Sequence, residues 1–459
     1  MKSHKIIACA IVVLILLMAS CNDDDLSRDS LRDIPTATVK IDGQAVIKAI
    51  PTNYGWVILK ETLQEQFRIT KPKREIAWTN NDFVETRNYK NDADWSLNDL
   101  TVHPSGDVSA IATMVEFKGG PDYLIRIKLL RFKSGGLVIE QELASMPRET
   151  EDLPYFPGSI DRAKVVALGE EVYVVARWRN NDVQAHRISF ADDKFNVEWQ
   201  TLVEPEHFVG TMGIIGGGFD NFRQGDRYFF IYADVDNGGN LHIAVPSSEE
   251  LLISHDEHFG ENLLAGTDPV GYNFGAVIHT RLTPSGSRMY SKVQGTSRDT
   301  RIINMRAAND GIYFVGRMKT GLNPNSWDAW VLKANIWSGA QIYENTIDIR
   351  DGDMFWSIDG IRDGGAVAVG TTDYTQNPAG LSVSNERNAA AFVLDAQGRI
   401  TKELKLPQGP SGRGNETMFV STIDSKKVIL AGVHNAPGTH AAIYCDGFVA
   451  VRNLANQED

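Results

Sequence analysis

Aromatic and hydrogen-bonding residues recur together in this chain where apolar runs break off: Tyr89 with Trp95, Tyr155 with Phe156, Trp178 with Arg179, then His207, Trp327, Tyr374, Arg413 and His434. A ring beside a donor or acceptor suits a sugar, whose C–H face stacks on the ring while its hydroxyls need polar partners. Such rings also serve as plain packing between repeated units. A second set is acidic. Asp99, Asp161, Asp299, Asp353 and Glu416 stand at or near the starts of apolar runs, where two carboxylates across a cleft would supply the acid and base of glycoside hydrolysis. Caps and turns use the same residue types. A third set is SHDEHFGE, in which His255 and His258 stand three apart among Asp256, Glu257 and Glu261. These are zinc-ligand types, but no helical pattern puts the imidazoles on one side, so a solvated acidic loop is expected and no metal is assigned. DVDNGGN at 234–240 starts like a calcium loop, yet Gly238 and Val245 fall where oxygen ligands are needed. A turn is expected there.

These residues act together only if the fold brings them together, and the elements are legible as repeats. From residue 36 onward, apolar stretches of five to nine residues alternate with turn signals, and no segment holds a helical period. The class is all-β. DMFWSIDGI, AVAVGTTD, NAAAFVLDA and RITKELKL, at 353–406, read as four strands a to d, and DTRIINMRA, IYFVGRM, SWDAWVLKA and AQIYENTI, at 299–347, repeat the order. The a-to-b step recurs in AVIKAIPTNYGWVILKE, LTVHPSGDVSAIATMV, AKVVALGEEVYVVARW, GGGFDNFRQGDRYFFIYA and MFVSTIDSKKVILAGV, which makes seven copies. The c-to-d step recurs in QFRITKPKREIAW, YLIRIKLLRFKSGGLVIE, AHRISFADDKFNVEW and AVIHTRLTPSGSRMYSKV, which makes six.

The incomplete copy is the last, where DGFVAVRNL reads as a c strand with nothing after it but ANQED. TATVKI at 36–41 has no other place and can supply the missing d strand, so a seven-bladed β-propeller closed by the N-terminal strand is predicted. The b strands lie about 53 to 64 residues apart except for one interval of about 84, read as an insertion near 236–270 in blade 4. An eight-bladed ring, with that stretch as a degenerate blade, is the alternative. In such a blade the a-to-b and c-to-d turns share one face of the ring and the longer b-to-c and d-to-a connections share the other. The second face is the expected binding face.

The N-terminus sets the compartment. MKSHK is a basic start, and the fourteen apolar residues Ile6–Ala19 are too few for a stable span of about 20. Residues 1–20 are therefore expected to be a signal peptide. Met18, Ala19, Ser20 and Cys21 resemble the lipobox of bacterial lipoproteins, and the resemblance implies that Cys21 is acylated and holds the protein to a membrane. Asp23, Asp24 and Asp25 resemble the acidic tag that sends some lipoproteins of glycan-foraging bacteria to the cell surface, which implies an outer-membrane, surface-exposed location. Residues 21–35 read as a polar tether to a domain at 36–459. Without residues 1–20 the chain loses Lys2 and Lys5 and no acids, leaving 44 basic against 59 acidic residues and a net charge of −15. Nucleic acid and anionic lipid are poor partners for such a charge. Cys9 goes with the signal and Cys21 to the lipid, so Cys445 has no intrachain disulfide partner and stability must come from packing.

No Ser-x-Asp-x-Gly-x-x-Trp box, GxSxG elbow, Walker loop or WD repeat occurs, and no cofactor is expected. The chain is expected to bind a glycan or a partner protein without catalysis, in nutrient uptake, with Trp95, Tyr155, Trp178, Arg179, His207, Trp327, Tyr374, Arg413 and His434 as candidate contacts. The alternative is a glycan-cleaving propeller. A purely structural scaffold would show the same repeats without a polar, aromatic cluster on the long-connection face.

Overall fold

A computed structural model describes residues 37–52, 55–62, 73–92, 94–119, 122–144, 163–177, 183–203, 231–246, 277–295, 300–320, 327–350, 352–362, 364–373, 388–406, 414–423, 426–436 and 446–454. These residues form seven antiparallel four-stranded sheets. Named from the inner to the outer strand, blade 1 is Ala45–Thr52, Gly55–Thr62, Lys73–Thr79 and Glu85–Lys90, and blade 2 is Ser96–Val102, Val108–Gly119, Asp122–Lys133 and Gly136–Leu143. Blade 3 is Ala163–Leu168, Glu171–Arg177, Val183–Ala191 and Lys194–Val203; blade 4 is Tyr232–Val235, Leu241–Pro246, Val277–Leu282 and Arg288–Gln294. Blade 5 is Thr300–Ala308, Gly311–Lys319, Trp327–Ala334 and Gln341–Ile347; blade 6 is Met354–Gly360, Ala366–Thr372, Asn388–Leu394 and Ile400–Glu403. Blade 7 is Gly414–Thr422, Lys427–Ala436 and Asp446–Asn453, and its outer strand is the N-terminal Ala37–Ile41.

The b strands are apolar on both faces because each face packs on a different neighbour. In blade 1, Val57 and Leu59 join the core shared with blade 2, while Trp56 and Ile58 join the core shared with blade 7. In blade 3, Val174 and Val175 divide between blades 2 and 4 in the same way. The remaining clusters join blades 4 to 5, 5 to 6 and 6 to 7, so the series returns to its start and the sheets form a closed ring. The outer strands alternate or are exposed, as in GLVIEQEL and QIYENTI.

A β-bulge recurs on the inner strand, after Val46, Leu97, Ile302, Phe355 and Thr417. Where it presses on strand b the sequence supplies glycine. A Cβ on Gly370 would collide with the carbonyl oxygen of Met354, and one on Gly432 with that of Glu416. The bulge re-aims the following side chains toward the axis of the ring.

The seven-bladed closure is as expected: Ala37 pairs with Val451 and Ile41 with Gly447. Arg452 donates to Ala37 O at 3.1 Å and to Thr38 Oγ1 at 2.7 Å, and Lys40 pairs with Asp446 at 2.8 Å. Two assignments differ from the sequence reading. In blade 1, KREIAW is the c strand, and the d strand is the polar ETRNYK, which a search for apolar runs passes over because its side chains are mostly exposed. In blade 4, Tyr232–Val235 is strand a and Leu241–Pro246 is strand b, so the insertion begins after Pro246 and LHIAVP belongs to the blade. DVDNGG runs from the end of strand a into the turn: Asp236 Oδ1 accepts from the amides of Gly238 and Asn240, both at 2.9 Å.

A chain lacking residues 22–41 exposes the edge of Asp446–Asn453 and should lose stability throughout the ring and aggregate. Thermal melts of the full and shortened mature chains would read this, and equal melting temperatures would rule out closure by the N-terminal strand.

Candidate functional site

Inner strands carry a polar belt around the channel. Lys48 of blade 1 contacts Asp99 of blade 2 at 2.9 Å, and the other Asp99 oxygen accepts from the amide of Val165 in blade 3 at 3.4 Å. Asp234 of blade 4 accepts from the amide of Ala307 in blade 5 at 2.8 Å. Asp359 of blade 6 accepts from the amide of Thr422 in blade 7 at 2.7 Å and from its hydroxyl at 3.0 Å. Between the last two carboxylates stands Arg306 of blade 5, 3.2 Å from Asp234 and 3.0 Å from Asp359. Its side chain is 44% exposed, as expected of a cation standing in a channel. Burial lifts the Asp234 carboxyl above the ordinary carboxylate range against the pull of Arg306, and the flanking Asp234 and Asp359 raise Arg306 in turn. Carboxylates on blades 2, 4 and 6 thus clip the main chain of blades 3, 5 and 7. Sequence reading caught Asp99 and missed Asp234, Arg306 and Asp359. The available signal was a charge inside an otherwise apolar inner strand, as in SIDG and NMRA.

On the long-connection face, the seam of blades 5 and 6 is the best described part. Asp353 is fully buried, its amide donates to Trp327 O at 2.6 Å, and its Oδ2 accepts from the amides of Ile349 and Arg350 at 2.6 and 2.7 Å. Among the described residues its Oδ1 is buried without a hydrogen-bond partner. Burial, reinforced by Asp328 and Asp348, pushes the Asp353 carboxyl up to about 7 against those two amide bonds. Trp327 is 3% exposed, with the Arg317 guanidinium over its ring at 4.0 Å, so it packs inside the wall of the ring. His434 is also buried, with Phe448 at 4.5 Å and Asn415 Oδ1 at 3.1 Å, and burial lowers its imidazole.

Trp95 is half-buried in the d-to-a connection between blades 1 and 2, with Lys128 Nζ 4.4 Å from its ring and Arg126 at 5.6 Å. Nearby Tyr89 packs edge-on to Phe132 at 4.8 Å and bonds Asn91 at 3.1 Å. This seam does combine an aromatic face with charged donors. Glu416 is buried on the inner strand of blade 7. Tyr155, Phe156, Trp178, Arg179, His207, Tyr374, Arg413, Asp161, Asp299 and the SHDEHFGE stretch lie outside the described residues, as do Cys21 and Asp23 to Asp25.

The opposite face holds buried polar joints that the sequence reading did not single out. His103 bonds Gly169 O, Tyr173 bonds Gly239 O and Tyr313 bonds Gly365 O, each a link to the next blade at 2.8 to 3.2 Å. In blade 4, Asp236 Oδ2 meets His242 at 3.2 Å and Arg281 at 2.8 Å, and His242 meets His279 at 3.1 Å. Burial works against ionisation of Asp236, yet bonds from His242 and Asn240 hold it well below the usual range; burial also keeps both imidazoles low. These contacts tie the turns to the adjoining strands and to the next blade, and so brace this face.

The arrangement defines a seven-bladed propeller. No family model matches the chain, and no curated protein matches it. Among solved structures, it is similar to a protein of unknown function from Dyadobacter fermentans, at 10% identity over 91% of this chain and 99% of that one, TM-score 0.40. It is similar to the GH93 alpha-L-arabinofuranosidase of Fusarium graminearum in complex with arabinobiose, at 13% identity over 78% and 93%, TM-score 0.37. It is also similar to the WD40 domain of SCAP from fission yeast, at 8% identity over 93% and 88%, TM-score 0.40. Likenesses of this degree carry no activity across.

Two expectations follow. Asp359→Ala removes the acceptor for Thr422 and one partner of Arg306, and should cost about 2 to 4 kcal/mol in a denaturant titration, with Asp359→Asn recovering part. Asp353, raised from an unfolded value near 4, favours the fold while protonated and costs stability as pH rises through 7. Asp353→Asn should therefore change little near pH 4 and stabilise above pH 8 by as much as about 4 kcal/mol; an equal effect at both pH values would contradict the buried acid.

Proposed function

We propose that this chain is a lipid-anchored, cell-surface propeller that binds a glycan on its long-connection face without cleaving it. The observation that carries the reading is the asymmetry of the ring. Turns such as 134–135, 169–170 and 309–310 close one face, while 204–231, 247–276 and 373–387 join strand ends on the other. Long connections on a rigid ring are the usual place for recognition. Non-catalysis is supported by the belt carboxylates Asp99, Asp234 and Asp359, each occupied by an amide of the neighbouring blade. Anchoring and export rest on Cys21 and Asp23 to Asp25.

One observation bears on the second reading, a glycan-cleaving enzyme: burial pushes the Asp353 carboxyl up to about 7, the range a general acid uses, in a residue that is itself fully buried. Catalysis also needs a second carboxylate in reach of substrate.

The soluble mature domain, applied to a glycan array and then incubated with each hit, separates these readings. Binding with no released product is expected, and Trp95→Ala should weaken it about tenfold or more. Product release that disappears in Asp353→Asn would establish the enzyme instead. No hit on a broad array, with a protein partner captured by the same face, would overturn the glycan.

A further inference from the structure

Six of the seven blades begin their outer strands the same way. Val84 in blade 1, Leu137 in blade 2, Val197 in blade 3, Met289 in blade 4, Trp337 in blade 5 and Ile400 in blade 6 are exposed large apolar residues, each in the c-to-d turn or within four residues of the start of strand d. They lie around the rim of the tight-turn face. Trp337 is the most exposed, at 69%. Its turn is rigid: Asn335 Oδ1 accepts from the amides of Trp337 and Ser338, both at 2.9 Å, and the buried Arg281 guanidinium lies 4.7 Å from the ring. The indole is therefore fixed at the surface with most of its area in solvent, the largest of a set that recurs blade by blade.

The seventh blade supplies what the others face. Strand Ala37–Ile41 runs antiparallel to Asp446–Asn453, so Ala37 lies opposite Val451, toward the tight-turn end, and Ile41 opposite Gly447, toward the long-connection end. The chain from Cys21 thus joins the ring at the tight-turn face. Fifteen residues, 22–36, separate the two, and a chain of that length reaches at most about 50 Å. A face held that close to a bilayer needs little intrinsic affinity to dock. At these turns Glu171 pairs with Arg187, Asp310 with Lys333 and Asp395 with Arg399, while Asp82, Asp192 and Asp193 are exposed, so a zwitterionic headgroup layer suits the face better than an anionic one.

We propose that the tight-turn face is the membrane face: in the anchored protein its apolar rim, led by Trp337, rests in the headgroup layer of a lipid bilayer, and the long-connection face points away. This rests on the reading of Cys21 as the lipid anchor. Indole is the side chain best suited to such a boundary.

The test uses the lipidated protein, purified from membranes and reconstituted in phosphatidylcholine vesicles with and without bromine on the acyl chains. The chain has nine tryptophans, and brominated lipid should quench a fraction of the emission that falls about twofold or more in Trp337→Ala, whose melting temperature stays near the parent's. Met289→Asp should lower the quenching without releasing the protein. Vesicle-bound parent with no quenching, or equal quenching in Trp337→Ala, would overturn the orientation and leave the anchor standing. Parent protein missing from the membrane fraction of the producing cells would overturn the anchor and this proposal with it.

Discussion

Each blade is apolar on both faces of its middle strands, and a sheet of that kind is stable only when a neighbour covers each face. That constraint dictates the rest. An open row of blades would leave two apolar faces in water, so the row must close, and closure requires the last blade to be completed by Ala37–Ile41. The hydrophobic clusters follow the seams in an unbroken circuit, with Val46 and Ile58 meeting Ile429 and Val451 where the chain ends join. Hydrophobic burial is indifferent to register, and the belt supplies what it lacks. Asp99, Asp234 and Asp359 each reach one main-chain amide of the next blade, and a blade shifted by one residue would forfeit that bond and bury an unpaired carboxylate.

The repeat was legible because the middle strands must be doubly apolar: AVAVGTT and VILAGV leave few other readings. The missing d strand was legible as arithmetic, one outer strand too few at the end and one too many at the start. What escaped were strands whose burial is small or whose length is short. ETRNYK reads as a loop because its side chains face water, and Tyr232–Val235 is four residues long, so the apolar run before it drew the assignment upstream. The site was less legible than the fold. Aromatic residues at strand ends serve recognition and packing alike, and only burial separates them: Trp327 and His434 are enclosed, whereas Trp95 keeps part of its ring in solvent beside Lys128 and Arg126. The belt residues were hidden because a lone charge in an apolar strand says nothing of its partner, which lies a whole blade away, as Asp359 and Thr422 do.

The two faces of the ring differ in kind. On the tight-turn side, polar side chains are tied down by their neighbours: Arg131 joins Asp107 and Glu170 across the seam of blades 2 and 3, and Asp236 joins Arg281 beneath the blade 4 turn. On the other side Asp353 carries a carboxyl raised by burial, in a wall that also holds Arg317 over Trp327. A braced face, and an opposite face whose Asp353 carboxyl is raised by burial, give the ring a polarity.

The central claim is that the ring is one cooperative unit, locked by the N-terminal strand and the carboxylate clips. Native-state hydrogen exchange measures this directly. The amides of Val165, Ala307 and Thr422, and those of strand Ala37–Ile41 that bond to Asp446–Asn453, should exchange only with global unfolding and share one free energy across increasing denaturant. Exchange of the Ala37–Ile41 amides well below that energy, with the blades opening one after another, would contradict it.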